Sequence, residues 1–291
     1  MPAPRVKMMK QQSLLEIHVA VLLFGLAGLF GKWLPLHPAV IVLGRVFFAS
    51  LTLALLLGMT RQRLSITPKR DYFIFAGMGL ILALHWAVFF KSIQVSTVAV
   101  GLLSCSSFPV FTAFLEPLFF KDRMDRVNLF FALICVFGVF LIIPTFNLAD
   151  TTFQGVLWGL LAGGTFAILT ILNRKFSQKY SSLLIAFFQD FFATVFLLPF
   201  YFALRPGLSM RSLFLLIILG VLCTAGSHTL FIKGMRQIRA QPASIISSLE
   251  PVYGIGLALL FLREVPTLRT ILGGIVILGA VVFISIKARS R

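Results

Sequence analysis

The chain is a succession of apolar runs separated by short polar connectors. The runs cover about 17–34, 38–59, 71–93, 96–120, 127–144, 153–173, 181–203, 211–233, 241–262 and 269–287, each near the ~20 residues a helix needs to cross hydrocarbon. This pattern predicts an all-α membrane protein of ten transmembrane helices. No stretch resembles a soluble domain, and only a short basic tail is expected outside the membrane at each end.

The pattern also repeats. At one constant offset, without a gap, Ser106, Pro109, Val110, Leu115, Leu118 and Phe119 fall on Ser248, Pro251, Val252, Leu257, Leu260 and Phe261. Upstream, Ala83, Phe89 and Lys91 fall on Ala225, Phe231 and Lys233; downstream, Val139 and Ile142 fall on Val281 and Ile284. Such self-similarity indicates an internal duplication, here of residues 14–144 and 153–288. Each copy holds five spans, an odd number, so the second is expected to insert upside down relative to the first. Inverted repeats are a recurring plan of secondary transporters, with the substrate site near the midplane where the halves meet.

Charge refines the picture. With 26 Lys and Arg against 9 Asp and Glu, the net charge is +17. The excess does not point to nucleic acid, because the basic residues stand in short clusters that flank apolar runs. Most lie in the two tails and in the connectors after the second, fourth, sixth and eighth runs. The opposite connectors hold Lys32, Lys91, Arg205, Arg211, Arg263 and Arg269. The positive-inside rule then puts both termini in the cytoplasm, with the chain in the cytoplasmic (inner) membrane. Arg5, Lys7 and Lys10 precede the first run as in a signal peptide, but no clean small-residue cleavage site follows, so the run is expected to remain as the first span. Cys105, Cys135 and Cys223 lie in apolar runs without metal spacing and read as buried thiols. There is no P-loop, HExxH or GxSxG pattern, so neither ATP hydrolysis, a metal or other cofactor, nor an enzyme is indicated.

The polar residues inside the runs are the candidates for chemistry. Glu250 falls near mid-bilayer beside Pro251, which has no N–H to donate and weakens the helix. A carboxylate there is expensive and suits proton coupling or binding of a cationic group; capping of backbone groups freed by Pro251 is the alternative. Pro109 and Pro251 correspond and are candidate hinges, while Glu250 has Phe108 at its equivalent position. Glu116 reads as interfacial. His85 and Trp86 correspond to Ser227 and His228, placing imidazoles that could move protons and an indole that could bind a cation at equivalent places. Ser104 and Ser107, with Ser106, and Ser247, with Ser244 and Ser248, form polar stripes beside the paired prolines and are expected to line a cavity, together with Tyr253. Phe166 is a further candidate lining residue; it matches Phe24 across the repeat, though the glycines around both favour helix packing. Arg45 and Asp190 lie well inside corresponding spans, and an Arg45–Asp190 ion pair is expected, with binding of a substrate carboxylate by Arg45 as the alternative. Lys91 and Lys233 are expected to snorkel to the interface.

Ser106-Ser107-Phe108-Pro109-Val110 leading to Lys121-Asp122, and Leu249-Glu250-Pro251-Val252-Tyr253 leading to Arg263-Glu264, resemble the EamA family of the drug/metabolite transporter superfamily. Each is followed by a Gly/Ala-rich last span, Ala132 to Gly138 and Gly273-Gly274 to Gly279. The resemblance covers roughly residues 14 to 288. It implies a carrier of amino acids, other metabolites or toxic compounds, commonly outward, around a cavity between spans 1, 3, 4, 6, 8 and 9. Asp122 stands where the family usually has Glu, and the Lys91/Lys233 pair is not general in it. The expectation is therefore a secondary transporter exporting a small amphipathic metabolite such as an amino acid, with protons as the coupling ion, acting in lipid as a monomer or homodimer. A non-transporting membrane assembly or sensor protein is the alternative, and would show a dry, packed centre. An intramembrane enzyme using Glu250 and His228 has no active-site motif behind it.

Overall fold

The computed structural model describes residues 4–61, 65–120, 126–235, 246–247 and 249–287. These residues are helical, with no strand among them. The helices are α1 (Pro4–Trp33), α2 (Pro38–Met59), α3 (Asp71–Val95), α4 (Val98–Cys105), α5 (Phe108–Phe120), α6 (Arg126–Ile142), α7 (Thr151–Ser177), α8 (Ser182–Leu204) and α9 (Met210–Gly220). A π-helical turn at Val221–Gly226 joins α9 to α10 (Ser227–Met235); α11 (Glu250–Leu262) and α12 (Leu268–Lys287) follow. A helix satisfies its own backbone within one segment, the condition hydrocarbon imposes. Local chemistry sets several starts: the side chains of Thr97, Asp150, Ser181 and Ser209 accept the backbone N–H of Val100, Phe153, Leu184 and Ser212.

Among the described residues, six helices are long and apolar enough to cross a membrane: Gln11–Trp33, Pro38–Met59, Asp71–Val95, Thr151–Ser177, Ser182–Leu204 and Met210–Phe231. Shorter apolar helices cover Val98–Thr112, Phe130–Ile142, Glu250–Leu262 and Leu268–Phe283. The chain is thus a multi-pass membrane protein, and its surface is correspondingly apolar, with Phe73, Phe202, Leu260 and Phe261 among the exposed residues.

The fourth expected span, about 96–120, is two helices rather than one. α4 stops at Cys105 because Pro109 has no N–H to continue the ladder, and the Ser106 and Ser107 hydroxyls turn back to the carbonyls of Leu102 and Ser104. α5 restarts at Phe108 with Pro109 in its first turn. In the same way α11 starts at Glu250 with Pro251 in its first turn. Both prolines stand at the start of a helix, where a missing N–H costs nothing, instead of kinking the middle of a continuous one.

The packing partners come in matched sets. α3 packs on α7, and α10 on α1; α7 also packs on α4 and α5, and α1 on α11. α8 lies between α2 and α3, α2 lies against α8 and α9, and α6 packs along α12. Two crossings are backbone to backbone. A Cβ at Gly25 would stand 2.7 Å from the Gly254 nitrogen and 2.9 Å from the Glu250 oxygen. A Cβ at Gly273 would stand 2.6 Å from the Gly138 oxygen. Small residues permit such approaches in membranes.

Staples tie loops and helix ends together. Glu264 accepts the Val98 N–H at 2.7 Å, and the Lys32 ammonium donates to the Ser96 carbonyl at 2.6 Å. Elsewhere Asp71 accepts from Lys179 at 2.6 Å and from Tyr180 at 2.7 Å.

Candidate functional site

One cavity of about 150 Å³ lies among helices of both halves. Phe24 and Ala27 of α1, Arg45 of α2, and His85, Trp86 and Phe89 of α3 line it. So do Leu102 and Cys105 of α4, Ser106 at the break, Phe108 of α5, Phe166 of α7, His228 of α10 and Glu250 of α11. Its volume is below the ~300–1,000 Å³ of pockets for drug-sized ligands, so it suits a small molecule. Seven aromatic or aliphatic side chains share the lining with four polar groups of differing character: a guanidinium, a carboxylate and two imidazoles.

The two histidines are held in corresponding ways. His85 stacks on Phe166, with ring centroids 5.1 Å apart and planes at 28°. His228 meets Phe24 edge-on at 5.5 Å and 65°. Phe24 and Phe166 are the residues that correspond across the repeat, so each histidine rests on the other half's phenylalanine. His85 Nδ1 lies 2.9 Å from the Ala162 carbonyl. A carbonyl only accepts, so Nδ1 carries the hydrogen, and Nε2 of the neutral ring is left as an acceptor.

Glu250 and Phe108 occupy corresponding places as well, each the first residue of a helix that starts beside the cavity. A helix start favours a negative charge, and one of the two starts carries a carboxylate. The residue before Glu250, Leu249, has an apolar side chain and makes no cap at the α11 start.

Arg45 is buried. The expected Arg45–Asp190 pair is not formed: among the described residues no ion pair joins them. Instead the Arg45 Nε donates to the Thr224 hydroxyl at 2.9 Å, and the guanidinium lies 3.6 Å above the Trp86 ring centre. The reason lies in α9. A Cβ at Gly220 would meet the Arg45 oxygen at 2.8 Å, so this glycine lets α9 run hard against α2 at Arg45. The π turn that follows then presents Thr224, whose hydroxyl donates to the Leu219 carbonyl. Asp190 keeps a fully enclosed Oδ2 without a hydrogen-bond partner.

Six of the predicted lining residues meet at the cavity: His85, Trp86, Ser106, Phe166, His228 and Glu250. Five others do not line it. Ser107 donates to the Ser104 carbonyl, Ser227 to the Cys223 carbonyl, and Tyr253 lies 2.7 Å from His18 Nδ1. Ser104 is packed against Gly159 with its hydroxyl enclosed. Ser247 also stands outside the lining. Pro109 and Pro251 are placed next to lining residues rather than in the wall. Sequence reasoning passed over Phe24 as packing and assigned no role to Phe89, Leu102 or Cys105. The offset of Phe24 onto Phe166 was the available signal for the first. Arg45 brings the second span into a set expected to comprise spans 1, 3, 4, 6, 8 and 9. Lys91 is exposed. Ser244, Ser248, Lys121 and Asp122, and the side chains of Glu116 and Lys233, lie outside the described residues.

Comparison with known proteins adds the following. The profile described as the EamA-like transporter family matches residues 13–143 and again residues 153–286. The uncharacterized transporter YxxF of Bacillus subtilis is 23% identical over 287 residues, covering 97% of this chain and 92% of that one. The pseudopaline exporter CntI of Pseudomonas aeruginosa is 24% identical over 243 residues, 82% of this chain and 84% of its own. The S-adenosylmethionine uptake transporter of Rickettsia bellii is 25% identical over 251 residues, 86% of this chain and 84% of its own.

Proposed function

The chain belongs to the EamA-like transporter family, and from that premise we propose that it is a secondary active transporter. Its cargo is a small amphipathic metabolite such as an amino acid, exported across the cytoplasmic membrane by alternating access. The observation that carries this reading is the central cavity, walled by both halves and holding charged groups among aromatic ones.

The architecture we propose is ten spans in two inverted five-helix repeats, 14–144 and 153–288. The matched packing sets support it: exchanging the halves turns the α3–α7 contact into the α10–α1 contact and leaves α2–α8 and α6–α12 unchanged. The double match of the family profile supports it too. Both termini then face the cytoplasm, as the distribution of basic residues favours.

Glu250 is the proposed coupling group. It takes up a proton or the cationic end of the cargo, and His228 is the second candidate. The relatives include both an exporter and an uptake transporter, and flux decides the direction here. Purified protein in proteoliposomes, under an imposed pH gradient, is screened with a panel of labelled amino acids and related small metabolites. Gradient-driven flux of a panel member is expected, with Glu250→Gln abolishing its dependence on the gradient. Unchanged flux and pH dependence in Glu250→Gln would sink the coupling role. Absence of flux for the whole panel would sink the proposed cargo class.

A further inference from the structure

The guanidinium of Arg45 is over-determined on two sides and vacant on the third. Its Nε is taken by Thr224 at 2.9 Å, and its face is covered by Trp86 at 3.6 Å. Thr224 is itself fixed by its bond to the Leu219 carbonyl. No other hydrogen bond from Arg45 is made among the described residues, and no carboxylate lies within ion-pair distance. Arg45 is only 4% exposed. The end carrying Nη1 and Nη2 nevertheless opens on the cavity: the polar atoms that are sealed and unpartnered belong to Ser104 and Asp190, not to Arg45.

Asp190 and Glu250 act on Arg45 through space without pairing with it, and a buried cation with no direct anionic partner is costly. Two parallel N–H groups on a rigid plane match one anion best, a carboxylate bound through both oxygens. We propose that Arg45 is the carboxylate anchor of the transported molecule, with Nη1 and Nη2 donating to its two oxygens. Trp86 and Thr224 are positioning residues that hold the plane. The inference rests on the transporter reading and adds to it the chemical class of one end of the cargo. The aromatic part of the lining, Phe24, Phe89, Phe108 and Phe166, takes an apolar body.

The test uses Trp86 as its own reporter. With Trp33→Phe and Trp158→Phe, Trp86 is the one indole left in the chain. The purified protein is titrated with phenylalanine, leucine and benzoate, and with the amide of each. The expected result is a saturable change of Trp86 emission with a carboxylate, and a midpoint at least tenfold weaker for its amide. Arg45→Gln should bring acid and amide to the same weak midpoint, and Arg45→Lys should retain part of the preference. Acid and amide indistinguishable in the unaltered Arg45 protein, or no response to any of the three acids, overturns the anchor. That comparison does not require the Gln variant to fold. Flux separates this proposal from the reading beneath it. A carboxylate that binds through Arg45 but is never moved removes the transporter and leaves the anchor; equal flux of acid and amide removes the anchor and leaves the transporter.

Discussion

Adding one methyl group at Gly25 should separate two helices that now touch. Gly25→Ala places a Cβ 2.7 Å from the Gly254 nitrogen and 2.9 Å from the Glu250 oxygen, against the 3.4 Å where ordinary contact begins. Both obstacles are backbone, so no side chain can rotate away, and α1 must move off α11. Overpacking of this kind costs ~1–3 kcal/mol. The substitution also brings the helix preference of Ala over Gly, ~1 kcal/mol. Gly256→Ala, on α11 itself, meets nothing within 4 Å and receives the preference alone. The two variants differ only in the packing cost, so Gly25→Ala should fall ~1–3 kcal/mol below Gly256→Ala. Reversible unfolding in mixed micelles measures both against the parent. Gly256→Ala should be slightly more stable than the parent, and Gly25→Ala level with it or less stable. Equal shifts for the two would refute the argument that these backbones are in contact. Because the clash includes the Glu250 carbonyl, flux by Gly25→Ala should fall by more than its stability loss explains.

Other consequences are measurable. Arg263 ends α11 with φ 55°, a left-handed backbone that costs a residue with a Cβ ~1–2 kcal/mol; Arg263→Gly should raise the unfolding midpoint, and a lowered one would show that the arginine side chain holds the turn. Glu264→Ala removes the acceptor of the Val98 N–H, so hydrogen exchange at the Val98 amide should quicken severalfold while the α3 core stays protected. The hydrogen bond to Asp71 holds the Lys179 ammonium above its ordinary value of 10.5. A raised value means the staple's contribution is intact below 10.5 and lost as pH rises past it. Lys179→Ala should therefore lower stability at neutral pH and erase that alkaline loss, which an unfolding series from pH 7 to 11 would reveal.

Much of the frame was legible because lipid imposes simple rules. Long apolar runs become helices, and Pro109 and Pro251 fall where helices restart. Six cavity residues were legible: His85, Trp86, Phe166 and His228 because the repeat marks a shared centre, Glu250 as a carboxylate in an apolar run, and Ser106 from its polar stripe. The other serines were not legible. A helical serine can bond its own i−3 or i−4 carbonyl, as Ser107 and Ser227 do away from the cavity and Ser106 does while lining it, and the sequence pattern does not tell these cases apart. The partner of Arg45 was not legible either. Corresponding spans suggested Asp190, but the contact depends on how closely α9 approaches α2 at Gly220 and on a π turn that brings Thr224 round. Neither a helix separation nor one extra residue in a turn leaves a mark in the hydrophobic pattern.

The matched helix starts at Phe108 and Glu250 bear on energy as well as shape. Were the two halves identical under the proposed exchange, the form open to one side of the membrane would be as stable as the form open to the other. Nothing in the scaffold would then favour either resting state. Every side chain that breaks the match tilts that balance, and two charged ones at the cavity do so: Glu250, with Phe108 at its equivalent position, and Arg45, with Phe187 at the same offset. On the proposed reading, a proton arriving at Glu250 removes one of these two charges and so shifts the balance between the two forms. The coupling group would then also set, by one proton, which side the empty carrier waits on, and Phe108→Glu should shift that preference.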